Sequence, residues 1–281
     1  INSLGLRSPT FSKSDARKIF VKLRGYFKGV QKVRNNLYVY TPILIPFQRF
    51  AFIRSLNKCF LLGQFRWLMV RYGITQPDIW TFLPNTVDLV MKLPRRKLIY
   101  YCVDDMSAFQ GVAADVILRQ DEDLTRKADE VFAVSEELYR QKKQWNPRTH
   151  YSPHGVDFDL FNQACRDGSI EKPADLKNIK WPIIGFYGLI SGDWIDYGLV
   201  EYLAQNRPQW SLVLIGKIDR RGDAKLPQRD NIHYLPVKPY EELYRYSRFF
   251  DVAILPFNIN PLTMRSHPLK ILEYLKKKHT I

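Results

Sequence analysis

Acidic residues are almost missing from the first quarter of this sequence. Residues 1–72 carry 14 Lys and Arg against one acid, Asp15, while the remainder carries 29 against 27. Nearly all of the net charge of +15 therefore sits in that quarter, so a partner of opposite charge is expected there and not over the whole surface. Cysteine is also scarce. Cys59, Cys102 and Cys165 are far apart and show no metal-ligand spacing, which predicts reduced thiols in a cytosolic compartment and no disulfide framework. No apolar run approaches the roughly 20 residues that cross a bilayer, and no solenoid-length repeat or low-complexity tract is present.

What remains is an ordinary globular composition, 46% hydrophobic and 25% charged over 281 residues, long enough for about two domains. Apolar, β-rich runs alternate with helical patterns. Leu37–Tyr40, Ile79–Phe82, Leu98–Val103 and Glu130–Val134 read as strands of a first sheet, with helices over 113–128 and 135–145. The second of these opens on Ser135 with Glu136 and Glu137 in its first turn, an N-terminal signature. A second set follows: strand 182–187, helix 194–206, strands 211–215 and 232–235, helix 240–249 and strand 251–255. This alternation predicts an α/β protein with two Rossmann-like domains and parallel sheets. The boundary is placed at 155/156, giving domains 1–155 and 156–281, with His154 and Gly155 as hinge and Asp157 fixing the turn after it.

The stretch from Asn258 to Leu275 carries the most chemistry. Ser266 is a candidate N-cap and Pro268 suits a first helical turn. Lys270 then falls where a helix dipole disfavours a cation, which makes sense if an anion such as a phosphate sits beside it. Glu273, three residues on, is an acceptor that could hold a ribose diol. The bland alternative makes Lys270, Glu273 and Lys277 the wet face of an amphipathic helix and Leu269, Leu272 and Leu275 its buried face.

The basic quarter interleaves cations with large apolar groups: Phe47, Arg49, Phe50, Phe52, Arg54, Lys58, Phe60, Phe65, Arg66, Trp67 and Arg71. Such a surface can lie on an anionic membrane, each Lys or Arg near it contributing about 1 kcal/mol. It can also follow a nucleic-acid backbone, or it can be a core-facing stripe of Phe50, Ile53, Leu56 and Phe60 with a solvated edge. Membrane contact through residues 1–72 is the reading adopted, with no nucleic acid expected.

The segments Ala128–Leu138 and Pro153–Asp157 with Phe161 resemble the end of the N-terminal domain and the interdomain passage of GT-B glycosyltransferases. Family 4 retaining enzymes, particularly bacterial members that build cell-surface polysaccharides, are the nearest match. Ile184–Gly188, Leu212–Gly216, Asn231–Leu235, Tyr240–Leu243 and Asn260–Leu275 are similar to successive pieces of their nucleotide-sugar domain, so the resemblance runs over most of residues 75–278. It implies two domains facing across a cleft, and a peripheral enzyme on the cytoplasmic face of the membrane. That enzyme would move a sugar from a uridine or guanosine diphosphate donor to a glycan or lipid-linked acceptor, with retention.

Carried onto this sequence, the resemblance makes Glu273 the residue that holds the donor ribose and Lys270 the one that approaches the diphosphate. Gly188 and Ser191 would lie against the phosphates, Lys217 would be a second cation, and Thr263 would line the sugar pocket. Arg265 stands where the family's usual first glutamate would be, so the donor sugar stays open. Asp104 and Asp105 close a strand at the edge where parallel sheets bind ligands. One of them is expected to position the acceptor hydroxyl, with a cap for backbone N–H groups as the alternative. His267 could contact phosphate. No metal or other cofactor is expected, since no paired-Asp motif of the Mn²⁺-carrying kind is recognised. Both ends of the sequence read as cut from a longer protein. The competing functions are a nucleotide-sugar epimerase of the same fold and a non-catalytic polyanion- or membrane-binding protein.

Overall fold

The computed structural model describes residues 24–45, 51–109, 111–166, 168–219 and 225–275, with the side chains of residues 51, 54 and 164–166 left aside. Phe47, Arg49, Phe50, Lys277 and residues 1–23 of the basic quarter lie outside the described residues. The chain divides into two compact units, one ending at Ser152 and one beginning at Pro153. His154, Gly155 and Asp157 thus belong to the second.

In the first unit β1 (Gln31–Arg34) and β2 (Leu37–Val39) form a two-stranded antiparallel hairpin of their own. The run Leu37–Tyr40, expected in the first parallel sheet, is therefore not part of it. Asn36, at φ 62°, closes a tight turn that Asn accepts more readily than most residues. Both strands are exposed along their length. The following helix, Ala51–Arg71, holds the preceding chain by two side-chain amides one heptad apart. Asn57 exchanges hydrogen bonds with the backbone of Ile45 (2.8 and 2.9 Å), and Gln64 does so with Ile43 (2.9 and 3.1 Å).

The parallel sheet of this unit has strand order β3-β4-β5-β6, from β3 (Asp78–Thr81), β4 (Lys97–Cys102), β5 (Glu130–Ala133) and β6 (Thr149–Tyr151). The three-residue β6 was not legible as a strand in the sequence. Leu98, Tyr100, Cys102, Val131 and Ala133 bury one face against Leu124 and Leu138 of the helices Ala114–Lys127 and Glu136–Trp145. Ser135 caps the second helix, accepting from Leu138 N–H at 3.3 Å. Beneath them Lys142 is buried in an ion pair with Asp121, which also accepts from the Tyr100 hydroxyl at 2.7 Å. Two charges sealed away from water require this pairing.

The second unit carries a sheet of order β10-β7-β8-β9, all parallel, from β7 (Ile183–Tyr187), β8 (Ser211–Ile215), β9 (Ile232–Leu235) and β10 (Val252–Ala253). Every residue of β7 and β8 is buried, as expected of strands covered on both faces. One face packs against the helix Tyr197–Asn206, capped by Asp196. The other packs on Phe161 of the helix Phe158–Arg166 and on Tyr246, Phe250 and Tyr274. The helix expected over 240–249 is a 3-10 turn, Tyr240–Glu242, running into Leu243–Ser247, and the strand expected over 251–255 shortens to β10.

Candidate functional site

In the second sheet the chain moves from β7 outward to β8 and β9, then returns to place β10 on the other side of β7. The reversal point between β7 and β10 is where open parallel sheets bind ligands, at their C-terminal ends. Two glycines sit beside it. Gly188 follows β7 at φ 149° and Gly216 follows β8 at φ 150°. A Cβ on Gly216 would fall 1.8 Å from the Gly188 carbonyl oxygen, and one on Gly188 would fall 2.3 Å from Lys270 Cε. The bare backbone at Gly188 is what lets Lys270 lie across the end of β7.

Lys270 and Glu273 come from the helix Leu269–Leu275. Its burial decides between the two readings of the sequence. Glu273 is 6% exposed, whereas Leu269 is 38% and Leu275 is 54% exposed, so Glu273 turns inward and two of the three leucines expected to be buried turn out, with Leu272 between. Burial pushes the Glu273 carboxyl above the ordinary range, while the Tyr187 hydroxyl, the Lys270 ammonium and the Tyr240 hydroxyl pull it back. Burial also lowers the Lys270 ammonium, with Glu273 opposing. A half-buried cation whose charge burial disfavours is an arrangement that an anion would stabilise.

Ser266 is not the N-cap of this helix. Its hydroxyl donates to the Thr263 carbonyl at 2.8 Å and closes the preceding short helix, Pro261–Met264. Thr263 is likewise occupied: it forms a capping box with Asn260 and donates to the Asn258 carbonyl. Its hydroxyl is committed to hydrogen bonds within the loop. The sequence reading gave Asn258 and Asn260 no role of their own. Asn258 Nδ2 donates to the Gly192 carbonyl at 2.7 Å, and Asn260 Nδ2 donates to the Asp193 carbonyl at 3.0 Å. They tie this loop to the one after β7, across 66 or 67 residues of sequence.

Ser191 is buried in the loop after β7, its carbonyl accepting from Trp194 and Ile195. Lys217 lies two residues beyond β8 and is exposed, and its carbonyl accepts from Ile190 N–H at 3.0 Å. His154 and His267 pack ring to ring at 5.8 Å, and burial, then the neighbouring His267, lowers His154. Gly155 is exposed. Asp157 accepts from Leu160 N–H at 3.0 Å, fixing the first turn of the helix Phe158–Arg166.

In the first unit the two neighbouring aspartates separate. Asp105 caps a 3-10 turn, accepting from Ser107 N–H at 3.0 Å and Ser107 Oγ at 2.5 Å. Asp104 is half-buried at the C-terminal end of β4, and burial together with Asp105 raises its carboxyl to about 6. Among the described residues no group of three or more His, Cys, Asp or Glu is placed to hold a metal ion.

No family model matches the sequence. The chain is 24% identical over 161 residues to a Bacillus subtilis (strain 168) protein whose name assigns it, as a prediction, to teichuronic acid biosynthesis as the glycosyltransferase TuaH. That match covers 54% of this chain and 39% of the relative. Among solved structures the chain is similar to Anabaena HepE in complex with UDP (TM-score 0.55, 16% identity, 79% of this chain and 62% of that one). It is similar also to the UDP-forming α,α-trehalose-phosphate synthase of Burkholderia xenovorans (TM-score 0.54, 13% identity, 81% and 62%). A third is the E. coli trehalose-6-phosphate protein bound with UDP-2-fluoro glucose (TM-score 0.52, 15% identity, 91% and 67%). The chain thus spans well under half of the curated relative and about two thirds of the solved ones. These likenesses establish the α/β fold as that of the GT-B glycosyltransferases.

Proposed function

We propose that this chain is the core of a GT-B glycosyltransferase that takes a sugar from a uridine diphosphate donor and passes it, with retention, to a glycan or lipid-linked acceptor. The observation that carries the reading is the inward-turned pair Lys270 and Glu273 beside Gly188, at the reversal point of the second sheet. The relatives' names add weight, since two of the solved ones hold UDP or a fluorinated UDP-glucose and the third is named as UDP-forming.

In this scheme Glu273 accepts from the ribose hydroxyls. Lys270 and the backbone at Gly188 meet the diphosphate, and no metal is invoked. The bond from the anomeric carbon to the phosphate oxygen breaks and its electron pair leaves with the diphosphate. Lys270 stabilises that growing charge. The acceptor hydroxyl attacks from the face the diphosphate vacates, and its proton passes to the departing phosphate oxygen. No protein nucleophile is assigned. Asp104, free of the capping duty that occupies Asp105, is the group assigned to position the acceptor hydroxyl. Lys217, Ser191 and His267 are secondary candidates for phosphate contact.

The acceptor would be met at an anionic membrane on the cytoplasmic side. The helix Ala51–Arg71 supports this, because its exposed face carries Phe52, Phe60, Trp67 (60% exposed) and Val70 (84% exposed), with Arg66 and Arg71 beside them. No described helix is long and apolar enough to cross a membrane, so contact would be interfacial. Binding to vesicles rich in phosphatidylserine but not to neutral ones, lost in Trp67→Glu, is the expected result.

Thermal unfolding with UDP, GDP, ADP and CMP tests the donor site. At about 100 times its Kd the true nucleotide should stabilise the fold by about 2.7 kcal/mol, and Glu273→Ala should abolish the shift. A cooperatively melting chain that none of the four stabilises would overturn the reading in favour of polyanion binding. An epimerase would instead interconvert UDP-sugars with no acceptor present.

A further inference from the structure

Tyr187 presents a buried hydroxyl that packing does not explain. The residue is 2% exposed, and its ring is wedged against Tyr274 (centroids 5.0 Å apart, interplanar angle 74°) and Phe250 (6.4 Å). Its hydroxyl oxygen completes no hydrogen bond of ordinary geometry. Phenylalanine would fill the same space without burying an unpaired polar group, which ordinarily destabilises a fold. Tyr274 does not resolve the matter, since its hydroxyl oxygen is engaged at 3.2 Å by the Tyr187 backbone N–H. The group the Tyr187 hydroxyl acts on is the Glu273 carboxyl, which it holds down against the effect of burial.

Glu273 is faced from three elements. Tyr187 comes from the end of β7, Tyr240 from the 3-10 turn after β9, and Lys270 and Tyr274 from its own helix. Tyr240 also reaches the backbone of Asp157. Two phenols from separate elements thus act on one carboxyl that is nearly sealed from water. A carboxylate has about four acceptor positions, so oxygen lone pairs are left for a ligand.

We propose that Tyr187 and Tyr240 are a pair of positioning residues that orient the Glu273 carboxylate toward the vicinal diol of a ribose, with Tyr187 completing its hydrogen bond when that diol draws the carboxylate into line. The inference rests on the donor-site reading above. It goes beyond it by assigning ribose discrimination to hydroxyls that never touch the ligand.

The test is the affinity of the full chain for UDP and for 2′-deoxy-UDP between pH 5 and 8, in wild type, Tyr187→Phe and Tyr240→Phe. Wild type should prefer UDP. Tyr187→Phe should bind UDP about 10-fold more weakly, the loss of one hydrogen bond to a charged group, and should bind 2′-deoxy-UDP almost as wild type does, so that the preference collapses. Because binding needs ionised Glu273 and the phenol favours that form, the variant should lose UDP at a higher pH than wild type as the solution is acidified. Its melting temperature should stay level or rise, which separates positioning from a structural role. Tyr240→Phe should repeat the pattern more weakly, being nearer solvent. A folded wild type that binds no UDP overturns the donor site and this inference with it. Wild-type binding with an unchanged ribose preference and pH profile in Tyr187→Phe overturns the inference alone.

Discussion

The two parallel sheets of this protein are built with the same parts and finished differently. Each begins a strand with the same device: Asp129 exchanges backbone and side-chain bonds with Leu98 at 2.8 Å, and Asp251 does so with Ile183 at 2.8 and 2.7 Å. The first sheet then runs in one direction, β3 to β6, whereas the second reverses at β7. Because β-α-β crossovers are right-handed, a sheet that grows one way collects its helices on one face, and a reversal sends the next helix to the other. The burial follows. Among the described residues the first sheet has one core cluster, on one face, while the second has two, one on each. On the other face of the first sheet Trp80 stays 53% exposed, stacked on Phe132 at 5.8 Å, with His150 beside it. The reversal also creates the crevice that holds Gly188, Lys270 and Glu273. Covering both faces and making a ligand edge are consequences of one topological step.

The largest expected effect tests that asymmetry directly. Phe186, on β7, is 1% exposed, and Phe186→Ala should destabilise by about 3–5 kcal/mol. Trp80→Ala should cost about 1 kcal/mol, chiefly its stacking on Phe132. Urea unfolding followed by circular dichroism measures both, with the two units allowed separate transitions. A Trp80 substitution as costly as that of Phe186 would mean that the face is covered in solution, and the contrast between the sheets would fail.

How much of this could be read from residues follows from the range of the interactions. The strands 98–103, 130–134, 183–187 and 211–215 announce themselves by unbroken apolar runs, and Ser135 with its two following glutamates marks a helix start, because those signals are local. Lys270 and Glu273 were legible as chemistry, through a cation where a helix dipole opposes it. Which face of their helix turns inward was not, for Glu273 is covered by Tyr187 and Tyr240 from elements far away in sequence. The same holds for Asn258 and Asn260, whose partners lie 66 or 67 residues upstream. The strand Thr149–Tyr151 escaped because three residues carry no period. Leu37–Tyr40 was read as a strand, which it nearly is, but assigned to the wrong sheet, since a strand's partner is not encoded in its own pattern. Asp104 and Asp105 were indistinguishable until Ser107 was seen to engage only the second.

Asp104 offers a middle-sized test on the first sheet. Its carboxyl is raised from 3.8 to about 6, so the folded state holds the proton more tightly than the unfolded chain does. Stability contributed by the protonated form is complete below about pH 4 and is lost as pH rises through about 6. Asp104→Asn should flatten that segment of the stability curve and stabilise the protein at pH 7 by about 2 kcal/mol, allowing for partial exposure. The same substitution should strongly reduce glycosyl transfer while leaving UDP binding in the second unit intact. Loss of both together would mean that Asp104 is structural.

The smallest effect compares the caps of two helices of 10 residues each, one against each sheet. Ser135 accepts from Leu138 N–H at 3.3 Å, and Asp196 accepts from Leu199 N–H at 2.9 Å. Each substitution by Ala should cost about 1 kcal/mol. Asp196 should be the costlier of the two, because its bond is shorter and its charge complements the helix dipole by about 0.3–1 kcal/mol more. The difference should shrink in 1 M salt, where exposed charges are screened within about 3 Å, while the cost at Ser135 should not move. If Ser135→Ala proves the more damaging, the cap is not the relevant bond there.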